Sequence, residues 1–100
     1  MGVLRKRAQA YEDLLEIWAC IARDSLEAAD GLIDSLEALC RLLADNPGMG
    51  RPRPDLTPDL RSATKGRYAI FYMPIQNGVE VIRVLNLSRW IDAGTFEGSI

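Results

Sequence analysis

The chain has 100 residues, 48% hydrophobic and 26% charged, with a formal net charge of −2. That is length for one domain, 1–100, and a composition too apolar for disorder. No histidine occurs, which removes the commonest general base and the commonest metal ligand.

The small total conceals a division of charge. Arg5, Lys6 and Arg7 make the start basic, and residues 8–45 set nine acidic groups against Arg23 and Arg41. From 46 onward, seven basic groups outnumber five acidic ones. An acidic first half therefore faces a basic second half. No apolar run approaches the ~18 residues of a membrane span. No apolar leader core follows the basic start, so the reading is cytoplasmic.

In chain order, Val3–Arg5 is a short strand candidate. Ala8 to Arg23 predicts a helix, because Leu14, Ile17, Trp18 and Ile21 recur at spacings of three and four. Ser25 is a good N-cap for a second helix, with Glu27 in its first turn. That helix runs to about Asp45 on a stripe of Leu32, Leu36, Leu39 and Leu43, widened by Ala29, Ile33 and Cys40. Gly31 weakens it by roughly 1 kcal/mol relative to alanine. Asn46-Pro47-Gly48 ends it. So short a connection folds the helices back as an antiparallel hairpin. Cys20 and Cys40 read as two reduced core thiols, with a disulfide between the helices as the alternative.

Asn46–Arg67 carries Pro47, Pro52, Pro54 and Pro58 with Arg51, Arg53, Arg61, Lys65 and Arg67. Proline fixes φ and biases the preceding residue toward extended backbone, which predicts a stiff, extended basic strap. Arg67–Met73 and Val79–Leu85 are rich in β-branched and aromatic residues and predict two strands joined through Asn77-Gly78. Leu60–Thr64 is a further strand candidate. The sum is an α+β domain, a helical hairpin on a small antiparallel sheet. Strict alternation would set Tyr68, Ile70 and Tyr72 against Ala69, Phe71 and Met73. On the partner strand it sets Val79, Val81, Arg83 and Leu85 against Glu80, Ile82 and Val84. Both faces are apolar, so one needs a cover, from the tail around Trp90 or from another chain.

Several motifs carry a resemblance. They are Asp13-Leu-Leu-Glu-Ile-Trp18, Leu42-Leu-Ala-Asp-Asn-Pro-Gly-Met-Gly-Arg-Pro-Arg53, Leu60-Arg-Ser62, Gly66-Arg-Tyr68 with Ile70-Phe-Tyr72, and Arg83-Val-Leu85. With them the chain resembles the ParE-like branch of the RelE/ParE toxin superfamily over residues 13–89. The resemblance implies a toxin neutralised by a cognate ParD-like antitoxin in a hetero-oligomer. It also implies DNA gyrase as the target, contact rather than catalysis, and no cofactor. The alternatives are a RelE-like ribosome-dependent mRNA endonuclease and a degenerate toxin that only binds its antitoxin. The sequence departs from the family at Met73, at Asn86, in the longer tail, and in its short basic start.

The candidate target- or antitoxin-binding residues are Arg51, Arg53, Arg61, Arg67, Arg83, Arg89 and Trp90. For Arg67 and Arg83 the structural alternative is a strand ion pair with Glu80 or Asp59. RNA cleavage would require Arg61, Arg67 and Arg83 to converge with Lys65, Tyr68 or Tyr72 as acid or base. Asp30, Asp34 and Glu37 read as a solvated helix face, and the acidic half argues against strong autonomous nucleic-acid binding. An antitoxin that folds on binding would lay apolar residues between helices and sheet, and could add a strand to an exposed edge.

Overall fold

The computed structural model describes residues 1–98. Its elements are β1 (Val3–Lys6), α1 (Ala8–Ala22), α2 (Leu26–Asp45), β2 (Arg51–Pro52), β3 (Arg61–Lys65), β4 (Tyr68–Ile75) and β5 (Gly78–Asn86), then a 3₁₀ turn at Ala93–Phe96. The strands form one five-stranded sheet in the order β1-β5-β4-β3-β2. The helical hairpin lies on one face of it, as the stripes predict.

The caps explain the helix boundaries. Ser25 Oγ accepts the Ala28 amide at 3.1 Å and starts α2. At its far end Asn46 folds back, its backbone N–H and its side-chain amide both donating to Leu42 O. Leu36, Cys40, Leu43 and Ala44 of α2 meet Ala10 and Leu14 of α1 over Ile70, Tyr72, Val79, Val81 and Val84 of the sheet. Trp18 donates its indole N–H to Asp30 at 2.8 Å and ties the two helices together. Cys20, expected in this core, is exposed, and both thiols are free.

The sheet is mixed rather than wholly antiparallel, because β1 runs parallel to β5. Its close approach explains Gly78. A Cβ there would collide with the Val3 carbonyl, so only glycine fits. Gly78 is thus a strand residue, and the positive φ of the β4–β5 turn (64°) falls on Asn77.

Strict alternation also fails in β5. Phe71 faces Arg83 while Tyr72 faces Val81, leaving Ile82 as an extra residue. This bulge reverses the phase of the strand. Val84 therefore joins Val79 and Val81 beneath the helices, while Leu85 joins Ile82 on the far face.

The strap is not one extended run. Arg53 to Leu60 folds back as a closed loop: Leu56 N donates to Arg53 O, with Pro54 in the second turn position, and Arg53 N donates to Leu60 O. Burial of Leu56 and Leu60 against the sheet outweighs the extended bias of the prolines.

Candidate functional site

The face of the sheet turned away from the helices is apolar at its centre. Ala69, Phe71, Ile82 and Leu85 are roofed by Leu56 and Leu60 of the strap loop and by Phe96 of the tail. Phe71 and Phe96 meet edge to face with ring centroids 5.1 Å apart. Met73 and Ile91 pack at the margin. The tail supplies the expected cover, through Phe96 and Ile91; Trp90 points outward and is 82% exposed.

Three of the candidate arginines are engaged inside the protein. Arg83 Nε donates to Asp13 Oδ2 at 2.7 Å and its Nη2 to Asp13 Oδ1 at 2.9 Å. Asp13 is 4% exposed, and it also accepts the Val84 amide at 3.0 Å. Hydrogen bonding to Asp13 raises the Arg83 pKa further above its ordinary value. The partner of Arg83 is thus neither Glu80, which pairs with Arg7, nor Asp59.

Arg61 holds the turn after α2. Its Nη1 donates to Gly50 O at 2.7 Å and to Gly48 O at 3.2 Å. From the other side the Gly50 amide donates to the Tyr72 hydroxyl, which donates to Pro47 O, both at 2.8 Å. A Cβ at Gly50 would strike the Tyr72 ring and hydroxyl, which gives the Pro-Gly-Met-Gly motif its physical reason. Arg53 pairs with Asp55 and lies 5.9 Å from the Phe71 ring centroid. Its hydrogen bonds hold the Asp55 carboxyl below the usual carboxylate range.

Arg51, Arg67 and Arg89 are exposed and form no ion pair among the described residues. Arg67 lies in the β3–β4 turn, where its carbonyl accepts the Leu87 amide at 2.7 Å, so it adjoins the segment leading to Arg89 and Trp90. Asn86 shapes that segment: its side-chain oxygen accepts the Ser88 amide and its carbonyl the Arg89 amide. The Trp90 indole donates to Asp92 at 2.7 Å, which lowers the Asp92 pKa. Arg51 stands at the opposite side of the sheet. Near it, a shallow cleft of about 470 Å³ is lined by Pro52, Pro54, Asp59, Leu60, Arg61, Met73 and Pro74.

The groups that RNA chemistry would require are dispersed. Tyr72 is buried beneath the helices, its hydroxyl is committed to the strap turn, and burial raises its pKa. Tyr68 packs on the same layer, while Lys65 is exposed beside Leu39 and Leu42 of α2. Of the acidic face of α2, Asp30 takes Trp18 and Glu37 takes Lys6 at 2.7 Å. Asp13 is the structural residue that charge pattern alone missed. The available signal was spacing: Ala10, Asp13 and Ile17 fall on one side of α1, so this carboxylate had to be buried and paired.

A helical hairpin on a five-stranded mixed sheet matches a solved fold. A chain titled chromosomal ParDE TA system from P. aeruginosa superposes with a TM-score of 0.74 at 18% identity, covering 87% of this chain and 97% of that one. Residues 4–89 match the family described as ParE toxin of type II toxin–antitoxin system, parDE. Toxin ParE1 of Caulobacter vibrioides is 36% identical over 86 residues, which are 85% of this chain and 86% of that protein. The chain belongs to the ParE toxin family.

Proposed function

We propose that this ParE-type toxin acts by protein–protein contact on DNA gyrase, performs no bond chemistry, and is neutralised in the cytoplasm by a ParD-like antitoxin bound as a hetero-oligomer. The observation that carries this reading is the dispersal of the groups RNA cleavage would bring together: Tyr72 is committed to the strap turn beneath the helices, Lys65 lies exposed beside α2, and the far face between the strap and tail is filled by Phe71 and Phe96. Arg61, Arg83 and Tyr72 support it, since each is consumed by an internal contact. Arg51, Arg67, Arg89 and Trp90 remain as surface contacts. Arg and Trp are the residue types on which interface energy concentrates.

Purified chain added to gyrase in a supercoiling assay, alongside primer extension on cellular mRNA after induction, separates the readings. Inhibited supercoiling with intact transcripts is expected. Codon-positioned cuts would establish the endonuclease instead, and activity in neither assay with antitoxin binding retained would establish a degenerate toxin.

A further inference from the structure

The sheet has five stretches of edge, and backbone parity decides which can accept another strand. The end of β4 beyond β3, Met73–Ile75, centres on Pro74, which has no N–H to offer. On β2 the Arg53 amide bonds inward to Leu60 O, so the outward residue is Pro52, which has no N–H to offer. The remainder of β3 presents one outward residue, Thr64, before the turn at Gly66. The part of β5 beyond β1 is closed by α1, since Asp13 takes the Val84 amide. On β1, Val3 N and Arg7 N donate to Asn77 O and Val81 O. With a period of two, Leu4 and Lys6 then turn their N–H and C=O groups outward. Gly2 is already engaged, by Asp45 at its amide and Arg41 at its carbonyl. Leu4 and Lys6 are therefore two successive ladder residues open to a partner.

The side chains around this edge select the occupant. Arg5 is exposed and has no carboxylate partner among the described residues, and Arg41 contributes only a 3.5 Å contact to a carbonyl. Lys6 and Arg7 follow Arg5 directly, each with one carboxylate. A second copy pairing here would set these cations against their own kind, which disfavours self-association. An extended segment bearing carboxylates meets the opposite situation, and the half-exposed Val3 side chain (40%) offers it an apolar contact.

Resting on the antitoxin reading above, we infer that β1 is the strand-addition edge of this toxin and takes an acidic, extended segment of the antitoxin, hydrogen-bonded to Leu4 and Lys6 with its carboxylates beside Arg5 and Arg41. Proline at position 4 removes an outward N–H without touching the bonds to β5, and Arg5→Glu reverses a charge that has no internal partner.

The test co-expresses the chain with the product of the neighbouring reading frame and measures affinity and amide hydrogen exchange in the complex. Leu4→Pro is expected to weaken binding about tenfold, the scale of one or two lost hydrogen bonds. Arg5→Glu is expected to weaken it about fivefold at low salt and less at high salt. Arg23→Glu, an equal charge change at the end of α1, should leave affinity unchanged. Should Leu4→Pro fail to fold, slowed exchange of the Leu4 and Lys6 amides in the wild-type complex supports the proposal. A complex in which those amides exchange as fast as in the free chain overturns it and leaves the antitoxin reading standing. Absence of any complex overturns both. Protection of these amides in the chain alone, growing with its concentration, would identify a second copy as the occupant and overturn the acidic segment.

Discussion

Asp13 on α1 and Arg83 on β5, 70 residues apart in the chain, form a two-pronged ion pair that also caps the open edge of the sheet through the Val84 amide. It joins the two layers where β1 stops. The Arg83 side chain is 13% exposed, so solvent screens the pair little. Removing one member leaves the other charged, buried and unpaired.

Arg83→Ala and Asp13→Asn are each expected to lower stability by about 3 kcal/mol, the scale for breaking a buried pair. That is a large part of the ~5–15 kcal/mol of an ordinary domain. The doubly apolar Asp13→Leu/Arg83→Met recovers much of the loss, although the Val84 amide stays unpaired. Urea melts of the four proteins decide it. An Arg83→Ala melt superposable on the parent's would show that the guanidinium is free for a partner after all.

The clamp on the strap turn predicts an alkaline limit. Burial raises the Tyr72 pKa above its ordinary 10.0, so folding favours the neutral phenol. Below that ordinary value both states are protonated and the contribution is complete. As pH climbs from 10 toward the folded value, only the unfolded chain ionises and stability is lost. Tyr72→Phe is expected to cost about 1–2 kcal/mol at neutral pH through the two hydrogen bonds to the turn, and to flatten the alkaline limb. Urea midpoints measured at neutral pH and just above 10 test both parts. An unchanged limb in the variant would assign it to another group.

The two thiols should behave differently. Cys40 is buried against the sheet, and burial with Glu37 nearby pushes its pKa up to about 11, whereas Cys20 is exposed. A thiol-specific reagent at neutral pH is expected to label one cysteine per native chain and two after denaturation. Rapid labelling of Cys40 in the native protein would mean that α2 opens from the sheet far more often than this core allows.

The elements were legible because their signals are local. Leucines at spacings of three and four wrote the helices, Ser25 wrote a start, and β-branched runs wrote β4 and β5. What escaped depends on partners distant in sequence. The bulge at Ile82 arises from fitting β5 against both β4 and the helices, and no residue near it announces a change of phase. Asn77-Gly78 read correctly as a turn, but the glycine itself answers to Val3. Prolines signalled a stiff strap, while Leu56 and Leu60, the two residues that fold it inward, carried the stronger term. The candidate arginines were chosen by charge alone, and charge does not tell a guanidinium holding Gly50 from one facing solvent.

Phe96 separates a docked tail from a structural one. Every hydrogen bond of residues 88–98, among the described residues, is made within the tail or to Asn86, so Ile91 and Phe96 supply the apolar packing that fastens the segment to the body. A buried phenylalanine contributes about 2–3 kcal/mol by area, while ordering each residue opposes it by roughly 1–2 kcal/mol. The local turns offset part of that cost, and the docked state is held by a small surplus. Phe96→Ala should therefore release the tail rather than unfold the domain. The global melt falls by about 1–3 kcal/mol, less than the full ~3–5 kcal/mol of a phenylalanine truncation in a closed core. Binding of a hydrophobic dye rises as Phe71, Ile82 and Leu85 lose their roof. A loss at the full core value with no gain in dye binding would show that the tail belongs to the cooperative fold and that the far face does not open.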